Sequence, residues 1–155
     1  PGEKGKPSME ASFHVLIYQR SDYRFIAHTH PTNTLKILCT DKIYDFARKR
    51  LFPDQVVFNG AESYVIPYAT PGKDLTQEME RWLCGDDPIP SLFLLANHGI
   101  ICCGYSVQQV VTMTEICEKA AEIFLSSDEL RFLMEEEVLA IQRHPDEVYR
   151  NDHSR

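Results

Sequence analysis

Leu92-Phe93-Leu94-Leu95-Ala96-Asn97-His98-Gly99-Ile100-Ile101-Cys102-Cys103-Gly104-Tyr105-Ser106 carries the longest apolar run of the chain. Two short apolar runs, Leu92–Ala96 and Ile100–Cys103, flank an Asn-His-Gly turn. Short unbroken apolar runs bounded by turn residues read as strands buried on both faces. Ser106 with Gln109 three residues on reads as a capping box that opens the longest helix. Val110, Thr114, Cys117, Ala121 and Phe124 recur on its inner face. Strands buried on both faces need cover on both sides, which points to a layered α/β domain with helices on both faces of one sheet.

Outward from this stretch the chain alternates between the two periods. Ser8 is placed to cap a helix over 9–19, with Met9, Phe13, Leu16 and Ile17 at helical spacing. After the Ser21-Asp22 turn, Tyr23–His28 is β-prone, and Pro31 ends it. Thr32–Cys39 reads as a helix, and Asp41 caps another with Ile43, Phe46 and Ala47 on one face. Strands are expected around Val56–Phe58 and Tyr64–Ala69. Asp74 with Gln77 predicts a helix over 75–84, and Gly85–Pro88 a turn. Asp128 is expected to cap an acidic last helix running to about Ile141. One domain over 1–145 is expected, followed by a charged tail, Asp146–Arg155.

The 155 residues fit one domain. The 43% hydrophobic and 25% charged composition is that of a globular chain and excludes a fully disordered one. No apolar run approaches the roughly 18 residues of a membrane span. The net charge of −7 argues against nucleic acid or an anionic membrane as partner. Five cysteines, none in a CxxC pair and most in apolar stretches, read as small buried hydrophobes of a reducing compartment, the cytoplasm. Pro1–Pro7 reads as a loop with no initiator Met and no signal segment, so the chain is expected to open inside a larger unit.

Six histidines occur. His28-Thr29-His30 stands at a strand end, where residues i and i+2 point to the same face. Two imidazoles so placed can grip one metal ion, or can be two hydrogen-bonded histidines. His98 sits at a tight turn between apolar strands, a costly place for a polar ring without a partner. Three neutral imidazoles with one open position is the usual arrangement of a catalytic zinc site. Spacing alone does not bring His98 to the other two. Glu10 is either a carboxylate favoured by the helix macrodipole or, beside a metal, a group that moves a proton at carbon. His14 reads as structural, and His144 and His153 have no assignment.

Pro7-Ser8-Met9-Glu10 with Phe13-His14, Ala27-His28-Thr29-His30-Pro31-Thr32-Asn33, Pro67-Tyr68-Ala69-Thr70-Pro71-Gly72 and Asn97-His98-Gly99 follow one another in this order. Together with the long helix to Phe124, this ordered set resembles the class II aldolase/adducin family over about residues 4–125. The resemblance implies a three-layer α/β/α sandwich around a mostly antiparallel sheet, and a homotetramer. It implies zinc, or another divalent metal, on His28, His30 and His98, with Glu10 as catalytic acid/base. Ser8 stands where the family contacts a substrate phosphate, with Met9 where a second serine is common. The family also carries about 60 upstream residues, with phosphate-holding loops, that have no counterpart here. A tyrosine that fuculose-type aldolases contribute from a neighbouring subunit has no match in register, although Tyr44 and Tyr64 lie in that interval.

The implied activity is metal-dependent cleavage of a ketose 1-phosphate, of the L-fuculose or L-rhamnulose type, to dihydroxyacetone phosphate and an aldehyde. Epimerisation or dehydration of a related sugar phosphate is the alternative on the same scaffold. A non-catalytic, adducin-like module is the alternative of another class.

Overall fold

In the computed structural model residues 7–85 and 87–146 are described. The expected opening loop up to residue 6 and the charged tail beyond Asp146 lie outside them. In chain order the elements are α1 (Ala11–Arg20), β1 (Phe25–Thr29), α2 (Thr32–Leu38), α3 (Ile43–Arg48), α4 (Pro53–Asn59) and β2 (Tyr64–Ile66). They continue with α5 (Lys73–Trp82), β3 (Leu92–Leu95), β4 (Gly99–Gly104), α6 (Val107–Ser126) and α7 (Glu135–Gln142).

The four strands form one sheet in the order β1-β4-β3-β2. β1 with β4 and β3 with β4 run antiparallel, and β2 with β3 runs parallel. Every residue of β3 and β4 is buried. Alternate side chains leave by opposite faces, as the two-residue period of a strand requires. Leu92, Leu94, Ile100 and Cys102 pack with Ile37 and Leu38 of α2, Ile43 and Phe46 of α3, and Val110, Met113 and Cys117 of α6. Phe93, Leu95, Ile101 and Cys103 pack with Phe13 and Ile17 of α1 and Leu75 and Met79 of α5. Each large apolar side chain so buried contributes about 1.5–3 kcal/mol. The result is the expected α/β/α sandwich around a mostly antiparallel sheet.

Several local expectations need correction. Val56–Phe58 is not a strand but the middle of α4. Phe52 is extended, Pro53 occupies the first helical turn and Gly60 ends the helix with φ of 80°. Proline's fixed φ suits that first position and glycine tolerates the positive φ. Gln55, Val56 and Asn59 are buried, a helical and not an alternating pattern. The last helix begins at Glu135 and not at Asp128. Before it, Leu130 and Phe132 pack against the core from irregular chain, and Leu133 N–H donates to the Arg50 carbonyl at 2.8 Å.

α1 starts at Ala11, with Glu10 itself at the N-cap position and Met9 72% exposed. Ser8 does not cap the helix. Its Oγ accepts from Glu10 N–H at 3.3 Å. The Asp74 box does not form, because α5 begins at Lys73, two residues earlier than expected, behind Gly72. At α6 only half a box exists: Ser106 Oγ accepts from Gln109 N–H, while Gln109 Oε1 accepts from Tyr105 N–H. Thr114 is only partly buried, and Met113 and Ala120 take fully buried places.

Candidate metal centre

β1 delivers His28 on its penultimate residue, and His30 follows directly, so both rings leave the same face. β3 ends at Leu95, and the turn before β4 holds Asn97 at φ 55° and then His98. Asparagine is among the few residues that adopt the left-handed region readily. The antiparallel pairing of β1 with β4 sets Thr29 opposite Ile100, which brings His98 to the two histidines of β1. The structure thus supplies the long-range meeting that spacing could not.

The rings of His28, His30 and His98 have centroids 4.8–5.2 Å apart. One nitrogen from each lies within 4.8 Å of the others. His28 Nε2 and His30 Nε2 are 3.1 Å apart. In a tetrahedral site with metal–nitrogen bonds of about 2.0–2.1 Å, ligand nitrogens stand roughly 3.3 Å from one another, close to this spacing. His28 Nδ1 lies 2.9 Å from the Ile100 carbonyl. A carbonyl only accepts, so Nδ1 carries the proton and Nε2 keeps its lone pair for the centre. These three donors could hold a divalent ion between them.

Glu10 reaches into the same cluster. Its Oε1 lies 3.1 Å from His98 Nε2 and its Oε2 3.5 Å from His28 Nε2. The side chains of His28 and His98 are only 9% and 12% exposed, and that of Glu10 27%. Burial, then the neighbouring His28, lowers the His98 pKa, with Glu10 opposing. His14 is lowered by the same causes in the same order. Depressed pKa values favour neutral imidazole, the form that binds metal. His98 Nδ1 is buried without a hydrogen-bond partner in the structure. Phe13 stacks on His14 and sets its edge against His28 at 5.4 Å between centroids.

His28, His30, His98 and Glu10 are thus brought together, with Ser8 tied to the Glu10 backbone. His14 lies beside them, and His144 pairs instead with Asp146 at 3.9 Å. His153 lies outside the described residues. Two contributors had no role in the sequence reading. The Ile100 carbonyl holds a ring nitrogen. Gly99 leaves space for His30, because a Cβ on it would stand 2.6 Å from the Thr29 carbonyl oxygen and closer still to the His30 ring. A glycine directly after a turn histidine was the only available signal.

A three-layer α/β/α domain with three histidines and a glutamate at one end of its sheet is thereby defined. Residues 1–125 match the model of the class II aldolase and adducin N-terminal domain, and the chain belongs to that family. It is 32% identical over 138 residues to the 3-oxo-tetronate 4-phosphate decarboxylase of Haemophilus influenzae, covering 86% of this chain and 63% of that protein. It is 28% identical over 121 residues to an L-fuculose phosphate aldolase of Methanococcus maripaludis, covering 77% of this chain and 61% of the relative. The crystal structure of YgbL from Escherichia coli superposes with a TM-score of 0.71 at 29% identity, over 88% of this chain and 66% of that one. The chain thus spans somewhat under two thirds of the length of the curated relatives it matches. Among the described residues no helix is long and apolar enough to cross a membrane.

Proposed function

We propose that this chain carries the metal centre of a lyase that, in a small sugar-acid or sugar phosphate, breaks the bond between the carbon next to a carbonyl and the carbon beyond it. The observation that supports this reading is the convergence of three imidazoles, one nitrogen of each within 4.8 Å of the others, with the Glu10 carboxylate 3.1 Å from His98 Nε2. A divalent ion held by His28, His30 and His98, zinc or another, would act as a Lewis acid on a carbonyl oxygen and stabilise the negative charge that develops there. Glu10 would move the proton at the adjacent carbon. Ser8 spends an acceptor position on Glu10 N–H and keeps its hydroxyl proton to donate to a substrate phosphate. Phe13, fully buried against His28, keeps that side of the centre dry.

Decarboxylation is the first reading, because the curated relatives near 30% identity are named 3-oxo-tetronate 4-phosphate decarboxylases. A 3-oxo acid loses carbon dioxide as the bonding pair passes towards the carbonyl. The carbon that bore the carboxylate then needs a proton, and Glu10 is placed to give it. Retro-aldol cleavage of a ketose 1-phosphate is the second reading, favoured by the more distant fuculose phosphate aldolases. It develops the same charge but releases an aldehyde. The intact His–Glu set supports either over a non-catalytic, adducin-like module. A cytoplasmic homo-oligomer, a tetramer by family likeness, belongs to the same proposal, and light scattering tests the assembly.

The zinc-loaded chain should release carbon dioxide from 3-oxo-tetronate 4-phosphate, with dihydroxyacetone phosphate as the other product. Glu10→Gln should lower that rate by about 10²–10⁴-fold with zinc still bound. Aldehyde release from L-fuculose 1-phosphate in its place would select the second reading. Turnover of neither by the zinc-bound chain would overturn the proposal.

A further inference from the structure

We infer that Glu118, on α6, is a positioning residue for the histidine centre, an inference that rests on the reading of His28, His30 and His98 as metal ligands. Its carboxylate takes three donors from the start of α2. Asn33 N–H donates to Oε1 at 2.8 Å, Thr34 N–H to Oε2 at 2.8 Å, and the Thr34 hydroxyl to Oε2 at 2.9 Å. α2 has no cap of its own, since Pro31 precedes it and no side chain of the helix serves. Its orphan N–H groups are therefore met from another element. Burial pushes the Glu118 carboxyl up, but the bonds from Asn33 and Thr34 outweigh this and leave its pKa below the ordinary glutamate value.

α2 reaches both halves of the centre. Its first residue is two beyond His30. At its other end the Leu38 carbonyl accepts from Asn97 N–H at 2.9 Å, and His98 is the next residue. Thr34 and Leu38 are buried at 0% and 1% exposure, so this short helix is packed in place as a strut of about 10 Å between the two loops. Glu118 pins its start. A shift of that end would carry Pro31 and His30 with it, and Gly99 leaves the His30 ring no free space on its own side.

The test is zinc affinity by competition with a chelator, for the unsubstituted chain, Glu118→Gln and Phe124→Leu, each shown folded by circular dichroism. The amide leaves one acceptor oxygen for three donors. Glu118→Gln should bind zinc at least roughly 10-fold more weakly. Phe124→Leu, a core change six residues further along the same helix against Phe46 and Phe132, should lower the melting temperature with zinc affinity unchanged. Affinity within twofold for Glu118→Gln overturns the inference while leaving the metal reading intact. If the unsubstituted chain binds no zinc, the metal reading fails, and the histidine ring NMR signals of the metal-free proteins decide. Shifted His30 and His98 rings in Glu118→Gln support the positioning role, and unshifted rings overturn it. Should Glu118→Gln not fold, Thr34→Val removes one of the three bonds, and the same readouts apply. A smaller shift in the same direction supports the role, and none overturns it.

Discussion

At Gly99 the backbone of β4 approaches β1 so closely that a single methyl group has no place. Gly99→Ala must either push the His30 ring away or open the pairing of Thr29 with Ile100. Zinc affinity should fall at least about tenfold, measured by chelator competition, although no ligand has been removed. The His28-Thr29-His30 pair and the Asn97-His98-Gly99 turn stood out in the sequence by local pattern, whereas a place for Glu10 beside them came only from the family resemblance. The crowding at Gly99 and the Ile100 carbonyl on His28 were not legible, because both depend on the register of β1 against β4. Register is a property of two strands more than seventy residues apart and leaves no mark on either alone.

Elements are held by buried polar contacts as well as by apolar faces. Arg50, 1% exposed, follows α3 and binds carbonyls in place of a carboxylate. It donates to Gly60 at 2.7 Å, Ala47 at 3.0 Å, Lys49 at 3.1 Å and Phe46 at 3.3 Å, and to Ser63 Oγ at 3.0 Å. Burial lowers its pKa to about 10, so it stays charged at neutral pH. Arg50→Leu should cost about 3 kcal/mol in urea unfolding, since several buried carbonyls lose their donor at once. The segment it braces is also where the sequence misled. Val56-Val57-Phe58 has β-forming side chains, but Pro53, the bond from Leu51 N–H to Gln55 Oε1 at 2.8 Å and Gly60 fix both ends of a helix. Local propensity yields to such end contacts. Glu118 adds a pH signature. Its folded pKa lies below the unfolded one, so its contribution is complete above the ordinary glutamate pKa and is lost as pH falls through the folded value. The stability gap between the unsubstituted chain and Glu118→Gln should therefore be wide at pH 7 and close on acidification.

Across the whole molecule, burial on both faces of one sheet divides the cysteines into two kinds. Cys102 and Cys117 are pushed up to about 11 and about 12 by burial, and Cys103 rises likewise, whereas Cys39 and Cys84 are exposed. A thiol reagent should modify two cysteines in the native protein and the other three only after unfolding. Rapid native reaction of more than two would mean that the core is not closed as described. The layered architecture itself was legible from Leu92–Ser106, because two doubly buried strands admit few other solutions. We propose that this scaffold presents His28, His30 and His98 as one metal site. Zinc content per chain after loading and desalting tests it most directly. One equivalent in the unsubstituted chain, lost in a folded His98→Ala variant, is the predicted result. No zinc in the unsubstituted chain, or a full equivalent retained by His98→Ala, would contradict it.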